Sequence, residues 1–178
     1  GTILSVWAHP DDETFCAGGI LAAAVKSGQK VICVTATRGE SGVQDSDRWP
    51  RHKLASIREK ELQAALKVLG VVEHHYLTYK DGQCSTVNLE DGAADITEVM
   101  DMYQPDSILT FGPEGLTGHP DHQAVSRWVT AAVSERTNRP LVFHAVLTVG
   151  QYTQYLASAD AKLNIFYNID QPPLAKPK

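Results

Sequence analysis

Two short stretches hold most of the residue types that could do chemistry. Trp7-Ala8-His9-Pro10-Asp11-Asp12-Glu13 sets a histidine and three acids directly after an apolar run. Far downstream, Gly118-His119-Pro120-Asp121-His122 sets two histidines and an acid after another apolar run. His9 and Asp12 are three apart, as are His119 and His122, and that spacing lets two side chains converge within one helical turn. Imidazole nitrogen and carboxylate oxygen suit zinc, and a catalytic zinc takes three protein ligands and leaves one position open for water. His9, Asp12 and one of the two later histidines would make such a set. Asp11 is then left over as a carboxylate beside the open position, within reach to take a proton. Each stretch alone has a plainer reading. Acids in a first turn favour the helix dipole, and proline opens helices in any protein. The two together, each with His, Pro and Asp at the end of an apolar run, favour the metal site.

The elements that must position these residues can be read from the apolar pattern. Ile3 to Ala8 reads as a first strand, and Pro10 can open the helix that follows over Phe15 to Lys26, stopped by Gly28. Lys30 to Ala36 reads as a second strand, and the polar stretch after it runs to Pro50. Leu54 to Leu69 is a helix closed by Gly70, with an apolar stripe through Leu54, Ile57, Ala64, Ala65 and Val68. Glu61 falls inside that stripe with Arg58 three residues earlier, so the pair either supports a site or is solvated. His75 to Tyr79 is a short strand before the turn signal Asp81-Gly82. Leu89 to Tyr103 is a helix, Ser107 to Phe111 a strand, and Gly112 to Gly118 a glycine-rich loop. A helix from Pro120 to about Glu135, a strand from Leu141 to Val149 and a strand candidate from Leu163 to Tyr167 complete the chain. Strands alternate with helices, which gives an α/β fold with a parallel sheet and helices on both faces. In such sheets ligands bind beyond the carboxyl ends of the strands. Both His-Pro-Asp stretches fall at such ends, so their distance along the chain is no obstacle to their meeting.

Composition narrows the function classes. A chain of 178 residues fits one domain with a real core. A formal net charge of -5, with no Lys/Arg run, argues against a nucleic-acid partner. No apolar run approaches the length of a membrane span. No secretory signal is visible, and a cytoplasmic location is the expectation. Cys16, Cys33 and Cys84 are widely spaced and odd in number, so they make neither a disulfide framework nor a zinc knuckle, and the apolar surroundings of Cys16 and Cys33 read as core. There is no glycine-rich dinucleotide fingerprint after the first strand, no P-loop and no Gly-x-Ser-x-Gly elbow. His52, His74, His75 and His144 have no spacing partner and read as surface or core histidines. Arg38 and Glu40 either line a site mouth or are solvated.

At these residues the chain resembles the PIG-L/LmbE-like zinc-dependent deacetylases. Ala8-His9-Pro10-Asp11-Asp12-Glu13 matches the first signature of that family and Gly118-His119-Pro120-Asp121-His122 the second. Thr37-Arg38-Gly39-Glu40, the helix with Arg58 and Glu61, and Asp81-Gly82 match it less specifically. The resemblance runs from about Ile3 to Val149. It implies a Rossmann-like, mostly parallel sheet in one domain over residues 1–178, and removal of an N-acetyl or similar acyl group from an amino sugar. It implies zinc, or another divalent ion such as iron(II), on His9, Asp12 and His122. It makes Asp11 the general base and His119, as an imidazolium, the stabiliser of the oxyanion. Asp121 would orient a histidine, and Arg58 and Asp81 would hold the sugar. Family members usually continue well past this length with a segment that helps close the site, whereas this chain stops at Lys178 after a proline-rich stretch. The alternatives are an amidase for a thiol-sugar conjugate or an acylated glycopeptide, and a non-catalytic sugar- or metal-binding module.

Overall fold

The structure is a computed structural model and describes residues 1–42, 49–163, 165–166 and 174–175. Five parallel strands form one sheet in the order β3-β2-β1-β4-β5. They are β1 (Thr2–Trp7), β2 (Lys30–Thr35), β3 (Glu73–Tyr76), β4 (Ser107–Phe111) and β5 (Leu141–Ala145). β1, β2 and β4 are the most buried, as a sheet covered on both sides requires. The connecting helices are α1 (Asp12–Lys26), α2 (Leu54–Leu69), α3 (Leu89–Tyr103), the short turn α4 (Gly115–Gly118) and α5 (Pro120–Ser134). α1 packs on α2, and α3 packs on α5. Right-handed crossovers through this strand order place the first pair on one face and the second on the other. The mostly parallel α/β sheet read from the sequence is the one observed. Leu4, Val6, Ile32, Val34, Ile108 and Phe111 are fully or almost fully buried at its centre.

Several boundaries differ from the sequence reading, each for a physical reason. α1 starts at Asp12, not Phe15, so Pro10 lies in the turn before the helix. β3 begins at Glu73 and ends at Tyr76, because its ladder runs from Ile32 to Thr35 of β2 and β2 stops there. β5 ends at Ala145, opposite Phe111, the last residue of β4. Leu147–Thr148 instead forms β6, paired with β7 at Leu174–Ala175. A capping box then opens the next helix: the Thr148 hydroxyl accepts from the Gln151 N–H, and the Gln151 side chain accepts from the Thr148 N–H. That helix, α6 (Val149–Gln151), continues through a π turn at Tyr152–Leu156 into α7 (Ala157–Leu163). The strand candidate at Leu163–Tyr167 is not formed where it is described: Leu163 ends α7, and residues 165–166 are not strand. Part of that candidate, and much of the polar stretch before Pro50, lie outside the described residues. Among the described residues no helix is long and apolar enough to cross a membrane.

The apolar stripe of α2 also needs correction. Val68 is 87 % exposed, and Ala64 and Glu61 are exposed too. The buried meridian is Leu54, Leu62 and Leu66, spaced by fours, and Arg58 falls on it.

Candidate metal centre

The site lies where β1 and β4 run side by side. The chain leaves β1 toward β2 and leaves β4 toward β5, so the sheet order reverses there and a crevice opens beyond the strand ends. After β1, the Asp12 N–H bonds the His9 carbonyl, closing a tight turn with Pro10 second and Asp11 third. Asp11 has φ 104°. Proline second and a positive φ third is the pattern of a type II turn, whose third place usually belongs to glycine or asparagine. After β4, α4 and the His119 N-cap lead into α5 with Pro120 at its first position, which puts His122 in the first turn.

These two turns bring His9, Asp12 and His122 together, all nearly buried. His122 Nε2 is 3.2 Å from His9 Nδ1 and 3.4 Å from Asp12 Oδ1, and His9 Nδ1 is 3.5 Å from Asp12 Oδ2. Donors about 2.0–2.1 Å from a tetrahedral ion stand about 3.3–3.4 Å apart; the two Asp12 oxygens each face one histidine at about that distance, and one donor atom from each of the three residues lies within 4.8 Å of the others. The hydrogen bonds outside the triangle fix the tautomers. His122 Nδ1 donates to the Gly115 carbonyl at 2.9 Å, which leaves the Nε2 lone pair facing inward. His9 Nε2 faces Asp81 Oδ1 at 3.1 Å and Asp121 Oδ2 at 3.2 Å, which leaves Nδ1 facing inward. Two inward lone pairs and a carboxylate repel one another unless a cation or a proton sits between them, so the donor set fits a metal. His9, His119 and Asp121 form a second group of possible ligands. The Asp121 oxygens already accept from Gly82 N–H (2.7 Å) and Cys84 N–H (3.0 Å), which makes that set the poorer one.

The electrostatics follow from burial and charge. Burial alone would raise the Asp12 carboxyl, but His122 and His9 hold it below its ordinary value. Burial raises the Glu13 carboxyl. Burial and then the Asp12 charge push Asp11 up to about 6, against the pull of Arg58. Because 73 % of the Asp11 side chain reaches solvent, water screens much of that push and only its direction matters. His119 accepts the Asp121 N–H at Nδ1 (3.1 Å), so its neutral ring carries the proton on Nε2. Burial and the neighbouring His9 and His122 push it down to about 4. In this arrangement the ring is neutral, where the sequence reading expected an imidazolium.

The remaining expected residues lie close by. Asp121, fully buried, touches His9. Asp81 borders the cleft, but its carboxylate is engaged by His9 and by the Ser41 N–H at 2.8 Å. Arg58 reaches in from α2 and pairs with Asp11 Oδ2 at 3.0 Å. Glu61, expected on the apolar face, lines a smaller cavity of about 220 Å³ on the far side of Arg58. Sequence reasoning gave no role to Glu13, which is fully buried and accepts the Asp11 N–H. It also missed Phe15, Thr117 and Ile165, which line the main cleft of about 480 Å³. Phe15 had a signal, one aromatic residue a single turn into α1. Ile165 had none.

The fold is of the doubly wound α/β class, and at its switch point it carries a His/Asp/His cluster of a composition compatible with a metal ion. The profile of the PIG-L family, described as GlcNAc-PI de-N-acetylase, matches residues 4–133, and the chain belongs to that family. A 1D-myo-inositol 2-acetamido-2-deoxy-α-D-glucopyranoside deacetylase from Mycobacterium sp. (strain KMS) is 34 % identical over 152 residues, covering 74 % of this chain and 49 % of the relative. A deacetylase of the same name from Kineococcus radiotolerans is 33 % identical over 171 residues, covering 80 % and 45 %. The chain thus spans about half the length of the curated relatives it matches. Among solved structures, the N,N'-diacetylchitobiose deacetylase from Pyrococcus horikoshii superposes with TM-score 0.69 at 25 % identity, covering 99 % of this chain and 62 % of that one.

Proposed function

We propose that this chain is a metal-dependent N-deacetylase. It hydrolyses the amide of an N-acylated amino sugar, with N-acetylglucosamine or a conjugate of it as the substrate class. Zinc is the proposed ion, held by His9, Asp12 and His122, and iron(II) suits the same donors. One observation carries the reading: a carboxylate, Asp11, stands beside the donor triangle, open to solvent and outside the ligand set. Holding an ion requires only the triangle, so the extra carboxylate argues for catalysis over a binding module. The substrates for which two relatives are named, a 2-acetamido-2-deoxyglucopyranoside and a diacetylated chitobiose, support the substrate class. The same proposal places the protein in the cytoplasm, where thiols such as those of Cys16, Cys33 and Cys84 stay reduced.

A divalent ion in the triangle supplies a Lewis acid for the amide carbonyl and lowers the pKa of a water. Asp11 takes a proton from the attacking water as its oxygen bonds to the carbonyl carbon. It returns that proton to nitrogen as the C–N bond breaks, so a neutral amine and a carboxylic acid form, and the acid's proton passes to the amine or to solvent. His119, neutral with its proton on Nε2, donates a hydrogen bond to the carbonyl oxygen as charge builds there. Asp121 and Asp81 hold the His9 ring, and Phe15, Thr117 and Ile165 offer the cleft walls to the sugar.

The test combines metal analysis of the purified chain with amine release from a panel of N-acylated amino sugars. The expected result is about one divalent ion per chain and amine release that chelation abolishes and zinc restores. An ion bound without amine release from any panel member would leave the non-catalytic module as the reading. Full activity after exhaustive chelation would overturn the metal assignment.

A further inference from the structure

Glu13 is a buried acid that no step of the hydrolysis uses. It is fully buried, it belongs to neither group of possible metal ligands, and it does not line the main cleft. A carboxylate taken out of water costs free energy unless its oxygens are hydrogen-bonded, and an apolar residue of similar size would fill the place without that cost. The hydrogen bonds it accepts say what it does there. Oε1 accepts the Thr14 hydroxyl (2.6 Å), which fixes the carboxylate, and Oε2 accepts the Asp11 N–H (3.1 Å).

Asp11 is a residue that needs holding. Its φ of 104° lies in the region that favours glycine, and another residue persists there only where its surroundings over-determine it. The first turn of α1 holds it from both sides. The Asp11 carbonyl accepts the N–H groups of Thr14 (3.0 Å) and Phe15 (2.9 Å), as the residue before a helix ordinarily does. The Asp11 N–H has no acceptor of that kind, because the first N–H groups at a helix start lack partners within the helix. Glu13 reaches back from the second helical position to take it. The torsion between these two groups sets where the Asp11 side chain leaves the backbone, and so where its carboxylate stands relative to His9, Asp12 and His122.

We propose that Glu13 is a positioning residue for the hydrolysis: by accepting the Asp11 N–H it holds the strained turn that keeps the Asp11 carboxylate beside the donor triangle. Arg58 meets that carboxylate from α2, whereas Glu13 acts on the backbone beneath it. The catalytic part of the proposal rests on the amide-hydrolase reading above; the conformational part does not.

Three variants separate reach, charge and size. Glu13→Gln keeps an acceptor at the same reach, Glu13→Asp keeps the charge but withdraws it by one methylene, and Glu13→Leu keeps the size without an acceptor. The first readout is independent of activity: the Asp11 backbone torsion, from NMR coupling constants on the purified chain. A fixed positive φ is expected in the wild type and in Glu13→Gln, and an averaged or negative one in the other two. A fixed positive φ in Glu13→Asp and Glu13→Leu overturns the proposal whether or not any substrate is turned over. The second readout is kinetic, on an N-acetylated glucosamine glycoside. Glu13→Asp and Glu13→Leu should lower kcat about 10–100-fold, the cost of a displaced reacting group, with KM within about twofold and metal content unchanged. Glu13→Gln should stay within about threefold of the wild type, since it keeps the hydrogen bond. In an Asp11→Asn background, Glu13→Leu should cost little more, because the two act as one unit. Full kcat with only a loss of stability would make Glu13 an ordinary helix cap. Glu13→Asp more active than Glu13→Gln would make its charge the operative feature, and loss of metal would mean that it acts through Asp12; each of these overturns the proposal. If Glu13→Leu fails to fold, the other two variants still decide. If the wild type cleaves no N-acylated sugar, the function reading fails alone and the torsion still decides the role of Glu13.

Discussion

Replacing Asp11 by glycine and by alanine separates the cost of its conformation from the value of its carboxylate. In an ordinary position glycine is the worse of the two by about 0.5–1 kcal/mol, because the unfolded chain has more freedom to lose. At φ 104° the order should reverse. Alanine keeps the left-handed strain, about 1–2 kcal/mol, and glycine does not. Both variants lose the carboxylate and its 3.0 Å contact with Arg58, so that contribution cancels between them. The balance favours glycine by about 0.5–1 kcal/mol. With a urea dependence of about 1–3 kcal/mol per molar, the unfolding midpoints should differ by about 0.2–1 M. The measurement belongs in chelator, so that metal affinity does not enter. Both variants should lose about 10²–10⁴ in kcat, the usual worth of a general base. An alanine variant as stable as the glycine variant would refute the strained turn. A glycine variant that kept its activity would refute the base.

Metal content should separate the two later histidines: His122→Ala and Asp12→Ala lose the ion, whereas His119→Ala keeps it and loses about 10²–10³ in kcat, as for one oxyanion donor. Metal lost from His119→Ala and kept by His122→Ala would reverse the roles. Burial, then His75 and Arg38, push His74 from 6.5 down to about 4. The unfolded chain therefore binds that proton more readily, and stability should fall as pH drops from about 6.5 to about 4; urea titrations of His74→Gln should show a flatter slope in that window. Gly92→Ala should destabilise by about 1–3 kcal/mol, because its Cβ would collide with the Trp128 ring where α3 packs on α5. Unchanged stability there would mean the two helices are looser than drawn.

The parts of this site that could be read from sequence are those fixed by neighbours along the chain. His9 and Asp12, and His119 and His122, are separated by fixed short spacings, and each pair follows an apolar strand. Strand alternation then supplies the common sheet edge on which the pairs meet. What could not be read depends on partners distant in sequence. β5 stops at Ala145 because β4 stops at Phe111, a limit that no property of residues 146–149 states. Glu13 looks like an ordinary first-turn acid, and the Asp11 N–H and Thr14 hydroxyl that it accepts are what let it be fully buried. Arg58 lies between these cases. Counting alanines as apolar drew the α2 stripe through Ala64, Ala65 and Val68, and Val68 proved 87 % exposed. Weighting by buried area per side chain favours leucine over alanine. It selects Leu54, Leu62 and Leu66, and the gap in that row of fours is Arg58. A cation on the most buried line of a helix must find acceptors beyond its own helix. Those acceptors are the carbonyls of Pro10 and Gly39, together with the Asp11 carboxylate, which lies outside the donor triangle.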